Sequence, residues 1–142
     1  MDLSKTGLRR FLEAQEPVYE QVCRELAVGQ KVSHWMWFIF PQLRELGRSQ
    51  YARHFGIESE HEARAYLDHP VLGARLRACS ELLLSVSDKS ANEIMGSPDD
   101  LKLRSCLTLF RVVGPHEVVF EQALARFFAG ERDLVTMTLV NR

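Results

Sequence analysis

Apolar side chains recur every three to four residues along most of this chain, and proline, glycine or a capping residue interrupts the pattern before any stretch grows long. Such spacing places one apolar stripe on a helix. Repeated interruption divides the chain into short helices that bury their stripes against one another. Leu8, Phe11 and Leu12 open the series. It stops near Glu16-Pro17, because the residue before a proline disfavours helix. Pro17 suits the start of the next helix, whose Tyr19, Val22, Cys23 and Leu26 share a face before Gly29 ends it. Ser59-x-x-Glu62 reads as a capping box opening a helix through Leu67, and Asp68-His69-Pro70 restarts the chain. Val71, Leu72, Leu76, Cys79, Leu82 and Leu83 then follow at helical spacing to about Val86. Ser90-x-x-Glu93 is a second capping box, closed by Gly96.

Ser97-Pro98-Asp99-Asp100 combines a cap, a proline at the first helical position and acids at the positive end of the helix dipole. Leu101, Leu103, Cys106, Leu107 and Phe110 continue that helix to Gly114-Pro115. Val119, Phe120, Ala123, Leu124, Phe127 and Phe128 form another, ended by Gly130, and Asp133 caps a last short one through Leu139. No pair of segments reads as a β-hairpin, and no repeat of 20–50 residues recurs. With 142 residues, the spacing predicts an all-α, compact single-domain bundle of six to seven helices over 1–142.

Residues 31–57 depart from this pattern. Val32-Ser33-His34-Trp35-Met36-Trp37-Phe38-Ile39-Phe40-Pro41-Gln42 is apolar without a clean period. Its alternation suits a strand, but with no β partner in view a buried turn or short helix before Pro41 is preferred. This Trp-rich segment is expected to thread through the bundle. Large aromatics dominate burial, so it reads first as a core plug. It also reads as a pocket wall, with Trp35 and Trp37 stacking a planar ligand and Lys31, Ser33, His34 and Gln42 supplying polar contacts.

A second polar group, Lys102, Ser105 and Thr108, falls at offsets of three and six on one helix. It is either a solvated face with hydroxyls bonded back to the preceding turn, or an anion site to which Lys31, Arg44, Arg48 and Arg53 add charge. Among other chemistries, the net charge of −1 removes the electrostatic basis for generic nucleic-acid binding. Three cysteines and five histidines show no metal-ligand spacing, so no metal or cofactor is expected. Phosphate-binding glycine loops and nucleophile-elbow motifs are absent. Met1-Asp2-Leu3-Ser4-Lys5 lacks the apolar core of a signal peptide, and Trp35 to Phe40 is too short to cross a bilayer, so a cytoplasmic, non-membrane protein is expected.

Lys31-x-Ser33-His34-Trp35-Met36-Trp37-Phe38-Ile39-Phe40-Pro41-Gln42, with Leu46-Gly47-Arg48-Ser49 and Tyr51, resembles the signature of a family of small bacterial and fungal proteins of unknown function. His69-Pro70-Val71-Leu72-Gly73 and Ile94-Met95-Gly96 with Asp99 and Lys102 extend the resemblance. So do Ser105 with Thr108-Leu109-Phe110, Gly130-x-x-Asp133 and Thr138-Leu139. The resemblance implies a compact, mainly helical domain. The family is sometimes labelled calpastatin-like, which would imply a disordered inhibitor, and this composition contradicts that.

Two functions follow as expectations. In the first, a pocket of Lys31, Ser33, Trp35, Trp37, Gln42, Lys102, Ser105 and Thr108 binds or hydrolyses a nucleotide-like or ADP-ribose-like phosphorylated ligand. His34 is then the candidate acid/base, because an imidazole titrates near neutrality. In the second, the protein is a non-enzymatic interaction module whose aromatic segment is core alone.

Overall fold

The computed structural model describes residues 7–141. The leader expectation rests on residues 1–5 and lies outside that range. Among the described residues ten α-helices follow one another: α1 (Arg9–Gln15), α2 (Tyr19–Val28), α3 (Met36–Ile39), α4 (Gln50–His54), α5 (Glu60–Asp68), α6 (Leu72–Leu84), α7 (Ala91–Met95), α8 (Asp99–Val113), α9 (Val118–Phe128) and α10 (Leu134–Val140), with a 3-10 turn at Arg44–Leu46. The all-α class agrees with the sequence reading, and the count of six to seven does not. The additional helices include α3 and α4, which are 4 and 5 residues long. One turn is too short to display a helical period, so apolar spacing could not reveal them.

Helix ends follow local chemistry. Gly29, with φ of 83°, takes the left-handed conformation after α2, and the amides of Gly29 and Gln30 bond back to Glu25 O. At α7 the Ser90/Glu93 capping box is complete in both directions. At α5 only half of it forms. Ser59 accepts from the Glu62 amide, while the Glu62 carboxylate turns away to Arg10 and the Glu58 amide. At α8, Pro98 occupies the cap position and no side chain caps the helix, so Ser97 does not serve as expected.

The buried apolar side chains form one continuous cluster. Helix α8 runs through it, packed by α5, α7, α9 and α10, while α6 packs against α2, α5 and α9. The Trp-rich stretch is part of this core. Trp35, Phe38, Ile39 and Phe40 are buried, and α3 lies on α1 and α6. The loop after it closes where Arg44 N donates to Ile57 O and Ile57 N to Gln42 O, both at 2.8 Å. Among the described residues no helix is long and apolar enough to cross a membrane.

The corner between α5 and α6 depends on Gly73. A Cβ there would run into the carbonyl oxygen of Leu67, a backbone atom that cannot move aside cheaply. Gly73→Ala should therefore destabilise the protein by about 3 kcal/mol, the upper range for forced overpacking, read as a lower urea midpoint at unchanged m.

Candidate functional site

One face of α8 carries Leu101, Arg104, Ser105 and Thr108, at offsets of three, four and seven, and its first three residues face the groove side. It meets the turn before α4 and the start of α10 to form a groove of about 520 Å³. Gln42, Leu46, Arg48, Ser49 and Ala52 line one wall; Pro98, Leu101, Lys102, Arg104 and Ser105 line the other; Asp133 and Val135 close the end.

Three cations converge there. Among the described residues Arg48 and Arg104 form no ion pair, while Lys102 lies 3.9 Å from Asp99. The Nε of Arg104 is buried and has no hydrogen-bond partner among the described residues. A buried N–H without an acceptor costs roughly 1–3 kcal/mol. The apolar surface is also exposed here, at 52% for Leu101 and 54% for Val135.

The polar residues singled out from the sequence divide between this groove and the interior. Gln42, Lys102 and Ser105 line the groove. Ser105 Oγ bonds back to Leu101 O at 3.3 Å. Thr108 is completely buried beneath α10; its hydroxyl donates to Arg104 O and accepts from the Asp133 amide. Of the three arginines considered with them, Arg48 reaches the groove, whereas Arg44 leans on the Arg53 carbonyl and Glu58.

Trp35 does not reach the groove: it is 1% exposed and its indole N–H donates to Glu25 Oε1 at 2.9 Å. Ser33 is held on the same carboxylate through its amide and hydroxyl. Lys31 bonds the Ser33 carbonyl, covers the Trp35 ring at 5.0 Å and pairs with Asp99 at 3.1 Å. It therefore acts on the groove only through Asp99, whose other oxygen faces Lys102. Trp37 is half-buried against Tyr51 and lines a cleft of about 10 Å³ with Gln42, Ala52 and Lys102. That cleft holds at most one water. His34 is exposed and lies outside the groove lining.

Arg48 enters this site from the signature segment, but Arg104 and Asp133 were not expected from the sequence as ligand contacts. The signal for Arg104 was its place at three residues from Leu101 and four from Thr108, which defines one helix face better than offsets of three and six. Among the described residues no group of three or more His, Cys, Asp or Glu side chains is placed to hold a metal ion.

Fold and site together define a small all-α protein with a cation-lined groove beside its longest helix. Residues 5–140 match the family model described as "Protein of unknown function (DUF1810)", and the chain belongs to that family. It is similar over 95% of its length, and 96% of the other chain, to the crystal structure of the conserved hypothetical protein Rv1873 from Mycobacterium tuberculosis, at 47% identity and a TM-score of 0.94. No curated protein matches the chain.

Proposed function

We propose that the groove binds a small phosphorylated molecule of nucleotide-like or ADP-ribose-like type. The observation that carries this reading is the convergence of Arg48, Lys102 and Arg104 on one groove, where Arg48 and Arg104 form no ion pair among the described residues. Guanidinium groups match phosphate oxygens bidentately, and Lys102 adds a point charge. The aglycone or base would rest on Leu46, Pro98, Leu101 and Val135, because the cleft under Trp37 has no room for a ring. Binding is favoured over hydrolysis, since His34 stands outside the groove.

ADP should raise the melting temperature of the wild-type protein, since a ligand that binds only the native state stabilises it. Arg104→Gln should weaken ADP binding about 10- to 100-fold by calorimetry, as expected for one charged hydrogen bond of roughly 1.5–3 kcal/mol. Equal affinities in the two proteins would remove Arg104 from the site. The interaction-module reading draws on a different observation, the 78% exposure of Leu134 beside Val135 at the groove's rim. It gains if no nucleotide shifts the melting temperature.

A further inference from the structure

The groove does not end at α10. A second hollow of about 530 Å³ continues past it, lined by Arg104, Glu131, Arg132, Asp133, Leu134 and Val135. Arg104, Asp133 and Val135 line both hollows, so the two are one trough with Arg104 and Asp133 at its waist. The ends differ in chemistry. The first carries Arg48 and Lys102. In the second, Arg132 is already committed to Glu121 at 2.7 Å and to the Gly130 carbonyl at 2.8 Å. Besides Arg104 at the waist, the charged groups left to meet a ligand there are the carboxylates of Glu131 and Asp133.

Asp133 is held rigidly. Its amide donates to Thr108 Oγ1 at 2.9 Å, and its Oδ2 accepts from the Thr136 amide at 2.9 Å and the Thr136 hydroxyl at 2.6 Å. The other oxygen, Oδ1, has no hydrogen-bond partner among the described residues. A fixed carboxylate repels a second phosphate and accepts readily from a hydroxyl. With Arg104 beside it, the pair offers one acceptor and one donor, the complement of a sugar hydroxyl.

We infer that the trough is built for a sugar phosphate, with the phosphoryl group on Arg48, Lys102 and Arg104, the hydroxyls on Asp133 and Glu131, and the carbon face of the sugar on Leu134 and Val135. This rests on the phosphate-binding reading above and adds the class of molecule attached to the phosphate.

The test compares inorganic phosphate, ribose 5-phosphate, pentyl phosphate and 5-aminopentyl phosphate by calorimetry on the whole protein. The wild type should bind ribose 5-phosphate at least about 10-fold more tightly than pentyl phosphate, because unpaired polar groups in the site penalise the analogue lacking hydroxyls. Asp133→Asn keeps a good helix cap but places an amide where the carboxylate was. It should reduce that preference to within about threefold while inorganic phosphate binds as well as before or better. Glu131→Gln, an exposed position before the helix, should reduce the preference in the same direction without affecting folding. Pentyl phosphate binding as tightly as ribose 5-phosphate, or 5-aminopentyl phosphate binding more tightly than either, overturns the sugar assignment and leaves the phosphate site standing. If none of the four binds, both fall.

Discussion

Glu25→Ala should cost roughly 2–4 kcal/mol of stability, because it strips the acceptor from the buried Trp35 indole and from two half-buried amides at once, and a buried donor left unpaired costs about 1–3 kcal/mol. Those donors are the Val32 amide at 2.7 Å, the Ser33 amide at 2.9 Å and the Trp35 indole at 2.9 Å, with the Ser33 hydroxyl at 2.6 Å and Gln21 at 2.8 Å completing the set. For a chain of this size the loss corresponds to roughly 10 °C in melting temperature. The same carboxylate makes stability depend on acid. Burial pushes its pKa up, but the bonds from Ser33, Val32 and Gln21 outweigh that and hold it at about 2, against an ordinary 4.5. A depressed folded-state pKa means the stabilisation is fully present above pH 4.5 and is lost as pH falls toward 2. Urea midpoints of the wild type should therefore fall across that window. Glu25→Gln, less stable at neutral pH, should show a flatter profile; parallel profiles would assign the acid sensitivity to other carboxylates.

Arg10→Ala is expected to have an effect of similar size. Arg10 is 4% exposed and joins α1 to the α4–α5 connection. Its Nε donates to the His54 carbonyl at 2.8 Å, and its Nη2 to the Gly56 carbonyl and Glu62, both at 2.8 Å; Nη1 bonds the Gly7 carbonyl. Removing one partner of a buried pair leaves an uncompensated charge and costs about 3–5 kcal/mol. Chemical denaturation should show that loss. Arg10→Lys should recover little of it, since one ammonium cannot span the carbonyls that a guanidinium fork reaches. Full recovery by lysine would reduce the role of Arg10 to its charge.

The features behind both predictions were poorly visible in the sequence, for one reason. Glu25 lies in the last turn of α2, where the helix dipole disfavours an acid. That misfit was the available sign that donors from elsewhere surround it. Its partners lie seven to ten residues onward, beyond a left-handed turn at Gly29, so no periodicity joins them. Arg10 and Glu62 are 52 residues apart. In contrast, α2, α6, α8 and α9 were legible because each spans ten or more residues with a continuous apolar stripe. The polar candidates were legible as a set but not by location. Lys31, Ser33 and Trp35 share a segment with Gln42, and only the turn into α3 sends Ser33 and Trp35 to Glu25, turns Lys31 to Asp99 and leaves Gln42 at the groove.

The all-α class, the long helices and the capping box at Ser90 follow from the sequence by itself, because they depend on neighbours within about two helical turns. The direction of each polar side chain is a different matter. Whether Arg104, Lys31 or Trp35 meets solvent or a buried partner depends on groups brought close by packing from distant parts of the chain. Only the tertiary structure decided that the open cation-lined surface lies between α8, the turn before α4 and the start of α10.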